Sequence, residues 1–325
     1  MTDDTAGPDP AAPTGERLRR ELRAIWTERR PERMADLYAP GAVIFDGMAM
    51  HHGTAAPLAE AHHMLGAFPD LSASPEAVLI DSGGDGTRVA QRTRFSGTND
   101  GASHHGPPTG RRIEVLSLSQ ALWRDGRIVV EHTLQNTAGM MLQLGLDPAA
   151  EAARLAADPP PGWPRGAEGW ALLRGEGAGV PARGPREAAD PGDIVRRLLT
   201  GVWGDGGLGV LDEVVAEGVT FEGPTLRKGT GRDDYAAMCR ALRLPFGDRR
   251  PSIDAMWWQE DDDGATVASR WSLAARHAQD GLYGPPSGAE VHLWGLAEHR
   301  LEAGRVVAER MLFNELDLMM QIAAT

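Results

Sequence analysis

The chain of 325 residues is written twice. Trp123-Arg124-Asp125-Gly126-Arg127-Ile128-Val129-Val130-Glu131 returns as Leu301-Glu302-Ala303-Gly304-Arg305-Val306-Val307-Ala308-Glu309, a displacement of 304 − 126 = 178. The same displacement carries Gly106-Pro107-Pro108-Thr109-Gly110 onto Gly284-Pro285-Pro286-Ser287-Gly288, Arg92 onto Arg270 and Asn136 onto Asn314. Upstream it becomes 177, taking Trp26 to Trp203 and Gly41 to Gly218, so one short indel separates two collinear halves. A repeat of this length is a whole domain, so both halves must fold alike, as after gene duplication. Single domains cluster near ~100–150 residues, which also points to two.

Each half begins with a helix stripe, Leu18, Leu22, Ile25 and Trp26 in the first and Ile194, Val195, Leu198, Leu199 and Val202 in the second. Short helical stretches follow at 34–38 and 58–68, with counterparts near 210–215 and 233–242. Strand-like runs take over at 77–80, 88–95, 113–123 and 127–136. Asp125-Gly126 and Ala303-Gly304 sit where a tight hairpin needs φ > 0, so the last two strands of each half are antiparallel neighbours. Apolar helical segments at 140–144 and 318–322 close the halves. Helices first and antiparallel strands after predict an α+β fold, two tandem cones that each wrap a curved antiparallel sheet on N-terminal helices. The expected domains are 16–146 and 193–325. Residues 1–15, with Pro8, Pro10 and Pro13, read as a disordered N-terminus, and the Ala/Pro/Gly/Arg-rich 147–192 as a linker, part of it packed through Trp163 and Trp170.

Composition narrows function by exclusion. The 33 basic against 46 acidic residues leave a net charge of −13, with no segregated basic face to meet a phosphate backbone, so nucleic acid is not an expected partner. Cys239 stands alone, which rules out an intrachain disulfide or a thiolate metal cage, and Lys228 is the only lysine. With no apolar leader and no run of roughly 18 apolar residues, a soluble, cytoplasmic protein with no membrane partner is expected. The pairs His51-His52, His62-His63 and His104-His105 suggest metal, but no H-x-H or H-x-x-x-H spacing accompanies them, and no metal site is expected.

The run Ala67-Phe68-Pro69-Asp70-Leu71, then Gly106-Pro107-Pro108-Thr109-Gly110-Arg111-Arg112, then Arg124-Asp125-Gly126-Arg127-Ile128-Val129 through Gln143-Leu144-Gly145, resembles the SnoaL-like polyketide cyclases, also called ester cyclases. The resemblance covers about 23–146 well and extends through the repeat to 194–322. It implies for each half the α+β cone shared with ketosteroid isomerase, no metal or organic cofactor, and ring closure of a polyketide ester by an aspartate acting as acid and base on the last strand. That aspartate falls on Asn136, and on Asn314 in the second half, where an amide cannot exchange a proton as a carboxylate does. The family's histidine in G-T-H-x-G falls on Asn99 and on His277.

Alternation along the last strand puts Val130, His132, Leu134 and Asn136 on one face, and Glu131, Thr133 and Gln135 on the other. Carrying the family's geometry over points His132 and Asn136 inward, the first as a base and the second as a donor to a developing oxyanion. The matching second-half face holds Ala308, Arg310, Leu312 and Asn314, suited to an anionic or carbonyl group. Glu131 and Glu309, with Arg92 and Arg270 two strands away, read either as cross-sheet ion pairs or as buried carboxylate bases. Asp46, after Val43-Ile44-Phe45, faces the cavity or closes a turn. His52, His63, Arg92, His105 and Trp123 are further substrate-binding candidates, with His277, Arg310 and Asn314 in the second half. The expectation is a cofactor-free enzyme that acts by proton transfer on a small carbonyl-containing or cyclic substrate. Its rival is a non-catalytic ligand-binding or assembly module. The two domains are expected to form an intrachain pseudo-dimer, with a further homodimer left open.

Overall fold

The computed structural model describes residues 13–83, 85–160, 163, 171 and 190–325. In the first half, helix α1 (Gly15–Leu22), capped by the Thr14 hydroxyl, leads into α2 (Met34–Leu37), β1 (Tyr38–Phe45), β2 (Met50–His52) and α3 (Ala55–Ala67). Four long strands follow, β3 (Ser72–Gly83), β4 (Gly86–Thr98), β5 (Arg112–Arg124) and β6 (Arg127–Gln135), and then α4 (Thr137–Leu144). Helix α5 (Pro148–Ala157) lies beyond them. The second half repeats the order as α6 (Pro191–Trp203), α7 (Val210–Val214), β7 (Val215–Glu222), β8 (Lys228–Thr230), α8 (Arg232–Arg243), β9 (Phe246–Asp261), β10 (Gly264–His277), β11 (Glu290–Glu302), β12 (Arg305–Phe313) and α9 (Glu315–Ala323). No helix among the described residues is long and apolar enough to cross a membrane.

The two sheets have matching orders, β2-β1-β6-β5-β4-β3 and β8-β7-β12-β11-β10-β9. Asp125 and Gly126 take φ of 49° and 73°, and Ala303 and Gly304 take 46° and 72°, the left-handed pair that a two-residue hairpin needs. The expected all-antiparallel sheet is corrected at one seam: β1 runs parallel to β6, and β7 parallel to β12, so each sheet is mixed.

The segment read as a linker begins with an ordered helix. Asp147 caps α5 and Pro148 occupies its first turn, and Ala152 packs with Met141, Leu316 and Met320 in a cluster formed with the second half. Its second tryptophan, Trp170, lies outside the described residues. Most of the N-terminal stretch expected to be disordered lies there too, and α1 already begins at Gly15.

Both faces of each sheet are covered. The inner faces pack on the helices, with Val89, Ala121, Trp123 and Ile128 against Leu18, Ile25 and Leu37 in the first half. The outer faces pack on each other: Leu116, Leu118, Leu122 and Leu134 meet Trp294, Leu296 and Leu312. Leu79 and Ala90 meet Ala255, Trp257 and Ala268. Leu79 and Trp257, like Leu116 and Trp294, are repeat equivalents, so the contact is self-complementary, as in a two-fold dimer. At roughly 1.5–3 kcal/mol per fully buried apolar side chain, this interface holds the pseudo-dimer together.

The second cone is filled. Trp203 stacks on Trp271 at 4.9 Å between centroids, Phe313 closes edge-on over both, and a Cβ at Gly295 would sit 2.5 Å from the Trp271 ring. Gly295→Ser, which copies its equivalent Ser117, is expected to lower stability by about 1–3 kcal/mol through overpacking. A thermal melt checks this, and an unchanged midpoint would mean that the second cone has room to spare.

Candidate active site

The inner face of the first sheet carries two polar rows across three strands. Strand register sets Gln91, Ser119 and Thr133 side by side, and Thr93, Ser117 and Gln135 in the next row. Gln91, Ser119, Thr133 and Gln135 are half-buried, and Thr93 and Ser117 are buried. The same rows in the second cone read Ser269, Ala297, Met311 and Trp271, Gly295, Phe313, nearly all apolar and buried. Beside the rows in the first cone sits Glu131, buried at 8% exposure and paired in register with Ala121. The Tyr38 hydroxyl, at the start of β1, donates to Glu131 Oε2. Burial raises the Glu131 pKa above the ordinary carboxylate value, and the Tyr38 and Ser119 hydroxyls partly offset the rise. Gln91 Nε2 is buried with no partner among the described residues.

His132 does not share this face. It stacks on Phe45 at 4.4 Å between the two sheets, with Trp294 edge-on at 5.9 Å. Arg270 Nη1 from the second domain approaches its ring nitrogens at 2.8 and 3.0 Å. The expectation that His132 points inward is thus corrected, and the residues that do point inward are Glu131, Thr133 and Gln135. The cause is a bulge: Trp123 pairs with Ile128 but Leu122 with Val130, so Val129 is skipped and the inward parity changes along β6. Arg92 stays on the outer face, bonded to Glu76 and Glu298, and the cross-sheet pair with Glu131 does not form.

Asn136 and Asn314 both stand at helix N-cap positions, but only Asn136 caps through its side chain. Asn136 Oδ1 accepts from Gly139 N at 3.1 Å, while its amide donates to the Thr225 carbonyl of the other domain. Asn314 Oδ1 accepts from Trp294 N at 3.1 Å, and its amide donates to Asp317. Asp46 closes a turn, accepting from Met48 N and Ala49 N at 2.7 Å and meeting His51 Nε2 at 2.6 Å. His52 is exposed, and His63 stacks on the exposed His104. His105 meets Glu151 of α5 at 3.1 Å, and Trp123 is buried in the inner core beneath Arg17. Asn99 and His277 do the same job in their halves: each accepts from the backbone N–H of Thr109 or Ser287 and so holds the Gly-Pro-Pro loop. Arg310 lies on the outer face, donating to the Glu309 carbonyl at 2.9 Å.

Sequence reasoning missed Tyr38 and the two polar rows. The signal was present in the repeat, because reading the halves position against position exposes Thr93 opposite Trp271, Ser117 opposite Gly295 and Gln135 opposite Phe313. Among the described residues no group of three or more His, Cys, Asp or Glu side chains is arranged to hold a metal ion.

Two variants test these placements. Burial first and Arg270 second hold His132 well below its ordinary pKa, so the folded chain stays unprotonated there while the unfolded chain takes up a proton below about 6.5. Stability should therefore fall as pH drops below about 6.5, by up to ~1.4 kcal/mol per pH unit from this group. Urea unfolding of His132→Gln between pH 6.5 and 5 should show a shallower fall than the parent, and equal slopes would mean that His132 titrates freely. Asn136→Ala, which removes the cap and the inter-domain bond, should lower the unfolding free energy by about 1–2 kcal/mol in the same assay.

No curated protein matches the chain. Among solved structures, IdmH of Streptomyces antibioticus is 28% identical, covering 40% of this chain and 94% of its own, with a TM-score of 0.33. AclR of Streptomyces galilaeus is 23% identical over 40% and 94%, with a TM-score of 0.36. TsrD of Streptomyces laurentii is 22% identical over 43% and 98%, with a TM-score of 0.37. The SnoaL-like polyketide cyclase family matches residues 16–144, and the SnoaL-like domain family matches 195–309. The chain is a member of the SnoaL-like family, built from two of its domains in tandem.

Proposed function

We propose that the first domain is a small-molecule enzyme in which Glu131 moves a proton next to a substrate carbonyl, and that the second domain is its packed partner. The observation that carries this reading is the contrast between the cones. One interior keeps a buried carboxylate beside two polar rows, of which Gln91, Ser119, Thr133 and Gln135 are half-buried, and the other has filled the same rows with Trp271, Met311 and Phe313. In the proposed step a C–H bond beside the carbonyl breaks, its proton passes to Glu131, and the electron pair moves onto the carbonyl oxygen. The unpartnered Gln91 Nε2 in the adjoining row is the donor placed to receive that oxyanion. The enolate then closes a ring or is reprotonated, so the reaction class is cyclisation or isomerisation. The raised pKa of Glu131 suits the task, because a base nearer the working pH both accepts and returns the proton.

Solvent-deuterium incorporation into a panel of small ketones and keto esters, followed by NMR, tests the step. Glu131→Gln should lower the exchange rate by about 10²–10⁴-fold. Tyr38→Phe removes a donor that favours the charged carboxylate, so the acidic limb of the pH–rate profile should move to higher pH. Exchange that persists in Glu131→Gln would overturn the assignment. The closed second cone favours a second reading, a binding module without turnover. It predicts saturable ligand binding to the first cone with no exchange in the parent protein.

A further inference from the structure

We infer that the cleft between the two sheets is a second binding site, separate from the cone, that takes a small organic anion through Arg310 and Arg19. The cleft has a volume of about 590 Å³, and Arg92, Glu298, Arg300 and Arg310 stand around it together with Arg19 of α1. It lies on the outer face of β4 and β12, the opposite side of the sheet from Glu131, so its occupant would not enter the cone.

The opening is not a packing defect that any pair of facing sheets must carry. The two-fold relation provides an equivalent place on the other side of the interface, where Arg300, Ala308, Arg310 and Glu298 correspond to Leu122, Val130, His132 and Gln120. There the side chains are sealed, with Leu122 and Gln120 at 3% exposure and His132 at 0%. The repeat has therefore placed Arg300, Arg310 and Glu298 around the open side where the closed side has Leu122, His132 and Gln120, with an arginine, Arg92 or Arg270, retained in each.

The charges in the cleft are unevenly matched. Glu298 is taken by Arg92, and Asp261 is held by Arg300 through bonds of 2.6 and 2.8 Å. Both Glu222 oxygens accept from Arg94, at 2.7 and 2.8 Å, which leaves Arg310 a distant approach of 3.8 Å to that carboxylate. The Arg310 guanidinium donates only to the Glu309 carbonyl, and the Arg19 guanidinium has no carboxylate partner among the described residues. Asp261 and Glu298 are engaged by arginines and Glu260, also at the cleft, accepts from Trp258 Nε1 at 3.2 Å, so the two guanidiniums with spare donors are the groups left to recognise an oxyanion: a carboxylate or a phosphate group.

Isothermal titration of the full chain with inorganic phosphate, and separately with succinate, at constant ionic strength, tests the site. At least one of the two should bind saturably with one site per chain; phosphate alone would assign a phosphate ester, and succinate alone a carboxylate. Arg310→Gln should weaken that binding at least tenfold, and Arg19→Gln combined with it should abolish it. Glu298→Gln moves the affinity the other way, several-fold tighter, because it frees Arg92 for the anion; a merely structural role for these residues would not produce opposite signs. No saturable binding of either anion to the parent, or unchanged binding in the folded double variant, would overturn the inference.

Discussion

The packing of one sheet's outer face on the other governs the rest of the molecule. A strand sends alternate side chains to opposite sides, so a sheet buried on both faces has no solvent face to spare. Once Val130, His132 and Leu134 are committed to the neighbour's Trp294, Leu296 and Leu312, only Glu131, Thr133 and Gln135 can line the cone. The interface also explains the chemistry of His132. A histidine enclosed by Phe45, Trp294 and an arginine guanidinium stays neutral, since a second cation there would have neither water nor a carboxylate to stabilise it. Arg270 bears the complementary strain: burial lowers its pKa to about 10, and the charge of Asp254 partly restores it.

Duplication supplied this interface twice over in one chain and then freed the halves to diverge. An ordinary two-fold dimer must repeat every substitution on both sides, whereas a fused pair can seal one side and open the other. The pair Arg92–Glu298 and its equivalent, Arg270 facing His132 and Gln120, are one such divergence. The cones are another, one apolar around stacked tryptophans and one polar. Helix α5 and Trp163 add ties that a dimer of separate chains would lack: Trp163 Nε1 donates to the buried Asp317 at 2.6 Å.

Much of this was legible in the residues. The displacement of 178 defined two domains, the Asp-Gly and Ala-Gly turns gave the closing hairpins, and the motif order indicated the cone. The inward face of β6 was not legible, for a physical reason. Val130, Glu131, His132 and Leu134 are all buried, so hydrophobic alternation, the usual pointer to the core side, is missing from this strand. The skipped residue Val129 then changes the parity that a regular strand would have had. The parallel seam of β1 was equally hidden, because pairing direction between distant segments leaves no local composition signal. Helix α5 was obscured by its alanines and prolines, which suit a linker as well as a short capped helix.

Glu131 and Glu309 are the same residue of the repeat in two environments, and the contrast between them bears on function. In the second cone Glu309 accepts from Tyr235 at 2.7 Å and meets His299 Nε2 at 2.8 Å, all three buried among apolar side chains. Two fixed partners and a closed cavity make that carboxylate part of the core. In the first cone the place of His299 is taken by Ala121, and the tyrosine comes from the start of β1 instead of from a helix. Glu131 therefore keeps one tyrosine and the Ser119 hydroxyl beside it, adjoins polar, partly half-buried rows, and retains a pKa displaced upward by burial. A carboxylate held at such a desolvation cost, without the buried histidine that pairs with its counterpart, is the group on which the proposed proton transfer rests.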